Sequence, residues 1–185
     1  MPVWTTIKEK QYWFWAILVY VTILSTLFIG QPLANELRDQ NVQAIFFLLG
    51  MALVATAVII HGIVNKPSKI EYAILFGIIA VYIMFFFRLG APERSHLIEY
   101  SVLAILLHKA FKERFKLENK IFKPAIFSLF VGFVMGTLDE SIQLLIPHRY
   151  FDPQDILFNC LAITMAIGAS LLLQWLHKRL KKMDK

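Results

Sequence analysis

Cysteine is almost absent. The single Cys160 in 185 residues excludes an internal disulfide. With no other ligand type at metal spacing around it, it reads as a small packing residue rather than a zinc ligand. Internal repeats, low-complexity tracts and Gly/Ser linkers are also missing, so nothing marks a boundary between separate domains. There is no phosphate-cradling glycine loop, no nucleophile elbow and no heptad repeat. What the chain has in excess is apolar residues, 58% of the total, where a soluble domain carries about 45–50%. They fall in runs long enough to cross a bilayer, which predicts an all-α, polytopic transmembrane helical bundle. The length fits one such bundle and leaves no room for a soluble domain. The net charge of +6 is spread beside the apolar runs, as topology signals and anionic-lipid contacts are. With no recognition motif attached to it, the charge excludes nucleic acid as a partner.

Six apolar segments are expected, at about Tyr12–Ile29, Val42–Val64, Ile70–Phe87, Glu93–Ala110, Pro124–Ile146 and Asp155–Trp175. The fourth is weak, because its uninterrupted apolar stretch is only Ser101–Leu107. The first follows Lys8 and Lys10 as a signal peptide would, but it is long and lacks a small-x-small cleavage site, so it reads as a retained helix. Six spans with both termini cytoplasmic place 15 of the 19 Lys and Arg residues inside and four outside, the bias that sets orientation. Five spans with the N-terminus outside give 14 and five. The six-span arrangement is preferred because it brings the two polar motifs of the chain to one outer face.

Those motifs are E-R-S-H-L-I-E-Y, Glu93–Tyr100, and D-E-S-I-Q-L-L-I-P-H-R-Y-F-D-P-Q-D-I-L-F-N, Asp139–Asn159. They hold six of the 13 acidic residues, and charge near a membrane helix needs a partner or a task. On a helix, His96, Glu99 and Tyr100 share a face. Pro92 and Glu93 suit a helix start. The plainer reading is that Glu93 and Glu99 cap the helix and neutralise Arg94. Gly132, Gly136, Glu140 and Gln143 fall within about 80° of one another at 100° per residue. The glycines form a G-x-x-x-G packing face that ends in polar residues. Glu140 pairs with Arg149 in the structural alternative. Pro147 closes this helix, Asp152 before Pro153 reads as an N-cap, and Asp155 and Asn159 lead into a face continued by Ala162, Ala166 and Ala169.

The pieces converge on one outer cluster. His96, Glu140 and Asp155 are the candidate catalytic groups. Arg94, Glu99, Tyr100, Gln143, Arg149 and Asn159 are the candidate binding groups. An imidazole beside a carboxylate serves as base or nucleophile, and a guanidinium fork suits phosphate. The same kit can form a buried ion-pair network that only fixes the bundle. His96, Glu93, Glu140 and Asp155 could gather round a metal. No H-x-x-E-H or similar paired-ligand motif is present, so no metal and no cofactor are assigned. His61, His108 and His177 are expected at inner helix ends, and Tyr12, Trp13, Trp15 and Trp175 in interfacial belts.

These motifs resemble the VanZ-like family of small bacterial membrane proteins. The resemblance rests on H-x-x-x-Y at His96 and Tyr100, then E-x-x-Q, P-x-R and D-x-x-x-N at Glu140, Gln143, Pro147, Arg149, Asp155 and Asn159. Glu93, Arg94, Glu99 and Asp139 fit the E-R-x-H-L-x-E-Y and D-E-x-x-Q form of one subgroup. Ser101 and Leu161–Ala162 stand where that subgroup has glycine. The resemblance covers about Arg88–Ala169. It implies a two-helix extension over 1–69, a VanZ-like domain over 70–177 and a basic cytoplasmic tail over 178–185. It implies a multi-pass protein of the bacterial cytoplasmic membrane and cell envelope. The family's namesake is linked to low-level resistance to the glycopeptide antibiotic teicoplanin. Three functions compete: an enzyme acting on anionic or polyprenyl-phosphate lipid head groups, a non-catalytic envelope or assembly protein, and a small lipid transporter. Membrane lipids are the expected partners. The transporter lacks the discontinuous helix pair such proteins use.

Overall fold

The structure, a computed structural model, describes residues 6–36, 68–89, 91–118, 122–147 and 151–183. The expected second segment, Val42–Val64, with His61, lies outside the described residues. Among them are five α-helices: α1 (Ile7–Glu36), α2 (Lys69–Arg88), α3 (Ala91–Arg114), α4 (Phe122–Gln143) and α5 (Pro153–Met183), with a 3-10 turn at Lys116–Glu118.

Local chemistry sets the helix ends. Ser68 starts α2 with a reciprocal cap. Its hydroxyl accepts the Glu71 N–H at 3.3 Å, and the Glu71 carboxylate accepts the Ser68 N–H at 2.7 Å. Asp152 caps α5 by accepting the Gln154 N–H at 2.8 Å, and Pro153 takes the first helical position, where its missing N–H costs nothing. The α4 helix stops at Gln143, three residues before the expected end. Residues 144–147 turn instead, because the residue before Pro147 is biased away from helical backbone.

Among the described residues, four helical stretches are long and apolar enough to cross a membrane: Ile7–Phe28, Lys69–Arg88, Phe122–Gln143 and Pro153–Leu180. Large apolar side chains cover their outer faces, among them Phe76, Phe87, Ile126 and Phe130. A soluble monomer rarely exposes apolar surface on this scale, so lipid is the covering medium and the chain is a multi-pass membrane protein.

The α3 helix is the exception in composition and the centre in space. It packs on α1, α4 and α5, with Tyr100, Leu103, Ala104, Leu107 and Ala110 fully buried. Its 24 residues reach about 36 Å, against a hydrocarbon core of about 30 Å. Neighbouring helices shield much of it from lipid, so it carries polar residues that an outer helix could not.

The helix directions follow from the contacts. Along α3 and α5, His96 meets Asp155, Ser101 meets Ala162 and His108 meets Gln174, so the two helices run the same way. Tyr100 meets Asp139 while Phe111 meets Phe127, so α4 runs opposite to α3. The α1 helix opposes α3 as well, with Trp13 against Phe111 and Tyr20 near Met135. Tyr82 reaches Ser101 and Glu71 reaches His177, which sets α2 against α3 and α5. The starts of α3 and α5 therefore meet the end of α4 at one end of the bundle.

The two glycines of α4 make that meeting close. A Cβ on Gly132 would sit 3.0 Å from Ile163 Cδ1, and one on Gly136 would sit 3.1 Å from Asn159 Cβ. Buried Ala162 and Ala166 complete the small-residue face of α5. His108 departs from its expected interfacial position. It is buried in the core, with its Nε2 3.4 Å from the Gln174 amide nitrogen. Trp13 also turns inward, edge-on to Phe111 at 5.1 Å.

Candidate functional site

The α3 helix contributes His96, Glu99 and Tyr100 from its second and third turns. His96 is 9% exposed, and its ring lies 6.1 Å from that of the fully buried Tyr100. Glu99 is half-buried and close enough to His96 and Asp139 for their charges to interact. The last turns of α4 contribute Asp139 and Glu140, both 0% exposed, and Gln143, also buried. The first turns of α5 contribute half-buried Asp155 and Asn159, the latter 1% exposed.

These groups are joined across helices. The Tyr100 hydroxyl donates to Asp139 Oδ2 at 3.0 Å. Gln143 Nε2 donates to Glu140 Oε1 at 2.7 Å, and the Asp152 N–H approaches Glu140 Oε2 at 3.5 Å. Glu140 thus ties the end of α4 to the entry of α5. His96 Nε2 stands 3.7 Å from Asp155 Oδ2, beyond hydrogen-bond length but within charge range. A ring nitrogen of His96 and carboxylate oxygens of Asp139 and Glu140 all lie within 4.8 Å of one another. The network is incomplete: His96 Nδ1 and both amide atoms of Asn159 are buried with no hydrogen-bond partner among the described residues.

Most of the expected site residues come together here: His96, Glu99, Tyr100, Glu140, Gln143, Asp155 and Asn159. Arg94 does not turn into the cluster. Its Nε donates to the Leu89 carbonyl at 2.9 Å and its guanidinium lies 5.2 Å from the Phe86 ring centre, at the α2–α3 corner. Arg149 lies outside the described residues. Glu93 is in the first turn of α3.

Asp139 is a central residue that the expected site set left out. Its position was readable: at 100° per residue it falls about 20° from Gly132, just beside the stripe of Gly136, Glu140 and Gln143. Tyr20 of α1 is a second omission. It borders the site by donating its hydroxyl to the Met135 carbonyl at 3.2 Å, and a lone aromatic in an apolar run gives no signal of that.

A family model described as VanZ/LLP1 matches residues 12–174. The chain belongs to the VanZ/LLP1 family. The matched stretch contains every residue of the cluster and reaches back into α1, which packs on α3. Comparison with curated proteins and with solved structures returned no match. In this VanZ/LLP1 member a buried His/Asp/Glu cluster stands at one end of the bundle, with Glu–Arg and Glu–His pairs at the other.

Proposed function

We propose that this VanZ/LLP1 protein is an enzyme of the bacterial cytoplasmic membrane that acts on phosphate-bearing lipid head groups at the outer surface. The observation that supports this most is the incompletely bonded polar cluster. A buried donor or acceptor without a partner costs about 1–3 kcal/mol, and His96 Nδ1 and the Asn159 amide carry that cost in a bundle with apolar alternatives on every side. Groups kept in that condition are characteristic of sites that meet a ligand. In this reading Asp155 orients the His96 ring, and the imidazole handles a proton at the head group. Tyr100 and Asp139 supply a fixed hydrogen-bonding wall, and Arg149 holds phosphate. The basic end faces the cytoplasm.

The test is head-group release by purified protein from a panel of anionic and polyprenyl-phosphate lipids. His96→Ala should lower turnover about 10²–10⁴-fold while the thermal midpoint stays near that of the wild type. A second reading, a structural network, draws support from the complete burial of Asp139 and Glu140. Under it the wild-type protein turns over none of these lipids, and His96→Ala acts only through lost stability.

A further inference from the structure

We propose that the cluster is a binding site for one divalent transition-metal ion, held by His96, Asp139 and Glu140 with Asp155 as the group that orients the histidine. The inference stands on geometry and would survive failure of the lipid head-group reading, since an ion can be bound without turnover.

Three independent features point to it. The first is distance. Ligand atoms about 2.1 Å from a common ion lie roughly 3–4 Å from one another, and the three side chains already bring one atom each within 4.8 Å. Small rotations would close the remainder. Two buried carboxylates this close repel each other, and a dication between them reverses the sign of that interaction. The second feature is the histidine. Nδ1 is buried without a hydrogen-bond partner among the described residues, while Nε2 faces the Asp155 carboxylate at 3.7 Å. A metal-bound imidazole is ordinarily arranged this way, with one nitrogen on the ion and the other N–H directed at a carboxylate that fixes the tautomer. The third is Asn159, 1% exposed, with neither amide atom bonded among the described residues. It lies against Gly136, as the Tyr100 ring does, one turn below the two carboxylates of α4, and offers a carbonyl oxygen as a further ligand.

The donor set selects the ion class. One imidazole with two carboxylates is too rich in nitrogen for a calcium cage and too hard for copper(I), and it suits Mn²⁺ or Zn²⁺. A nitrogen committed to an ion is no longer a base. At an occupied site the proton role given above to His96 would therefore pass to a water molecule on the ion, whose pKa the ion lowers.

The test uses the full chain in detergent, purified through a histidine-free tag, stripped with EDTA and loaded separately with Mn²⁺ and Zn²⁺. Metal content after desalting should be about one ion per chain for at least one of the two. His96→Gln and Asp139→Asn should each weaken affinity by more than about 100-fold, and Asp155→Asn by about 10–100-fold, as for an outer-shell partner. Folded wild-type protein that retains only trace metal would overturn the proposal. So would metal retained undiminished by both ligand variants. If those variants do not fold, pulsed electron paramagnetic resonance of the Mn²⁺-loaded wild type decides the matter. Coupling to one imidazole nitrogen supports the site, and bound Mn²⁺ without nitrogen coupling refutes it.

Discussion

The two ends of this bundle treat acidic residues in opposite ways. At the basic end, carboxylates meet cationic or basic side chains: Glu9 meets Arg114 at 3.3 Å, Glu71 meets His177 at 2.8 Å, Glu113 meets Lys116 at 3.5 Å and Glu118 meets Lys123. Several of those partners reach into solvent. The Lys116 side chain is 65% exposed and that of Arg114 is 45% exposed. At the site end, the carboxylates contact a phenol, an amide, a backbone N–H and an imidazole, among other groups. Water and salt screen the Lys116 and Lys123 pairs, which leaves them weak, whereas the buried Glu9 carboxylate is screened less. A low-dielectric interior strengthens the contacts at the site end and punishes any gap in them. The same residue type therefore does different work at the two ends of the bundle. At one end it anchors a helix terminus among head groups, and at the other it builds a polar chamber.

The comparison is broken most severely at Asp139. Asp139→Ala removes the acceptor of the Tyr100 hydroxyl, which is fully buried. The orphaned hydroxyl alone should cost about 1–3 kcal/mol. Pairing it with Tyr100→Phe, which removes the donor, should recover part of the loss, because no hydroxyl is then left without its acceptor. Thermal unfolding in detergent of both single variants and the double variant measures this. Equal and additive losses would mean that the hydrogen bond is not the link between α3 and α4.

Gly136 comes next. A methyl group there would stand 3.1 Å from Asn159 Cβ and 3.4 Å from Tyr100 Cε1. Neither atom is the loose end of a flexible side chain, so α4 and α5 must separate. Gly136→Ala should destabilise by about 1–3 kcal/mol and disturb the cluster as well. Gly132→Ala is the internal control. Its closest neighbour is the terminal Cδ1 of Ile163 at 3.0 Å, a methyl that can rotate away, so its effect should be smaller. Side-by-side melting curves would expose a reversed order, which would place the tight crossing of α4 and α5 lower in the bundle.

Sequence pattern carried much of this arrangement, for identifiable reasons. Four helices announce themselves by apolar length, and G-x-x-x-G correctly marks the face of α4 that lies on α5. His96 and Asp155 were expected to meet and do so. The fourth segment was hard to read because hydropathy measures fitness for lipid, and α3 is shielded by α1, α4 and α5. A helix at the centre of a membrane bundle is allowed to look soluble. The direction of Arg94 was illegible for another reason. A long side chain at a helix corner can reach either the site or Phe86, and only the packing of α2 against α3 decides. His108 was assigned to an interface from its depth alone, whereas its partner, Gln174, lies 66 positions along the chain.

The smallest expected effect lies at the basic end. Glu118 and Lys123 form an ion pair between the 3-10 turn and the first turn of α4, and Lys123 also sits over the Phe115 ring, 4.4 Å from its centre. Glu118→Gln keeps the side-chain length and removes the charge. The carboxylate side chain is 42% exposed, so its attraction to Lys123 is screened, and two flexible side chains must be ordered to hold the pair. The change in stability should stay within about 0.5 kcal/mol and shrink further as salt is raised, because exposed charges are screened over about 10 Å at 0.1 M. Unfolding measured at low and high ionic strength gives the answer. A loss as large as that of Asp139→Ala would mean that the ends do not differ in kind, and that the buried cluster is one more set of ion pairs holding a helix bundle together.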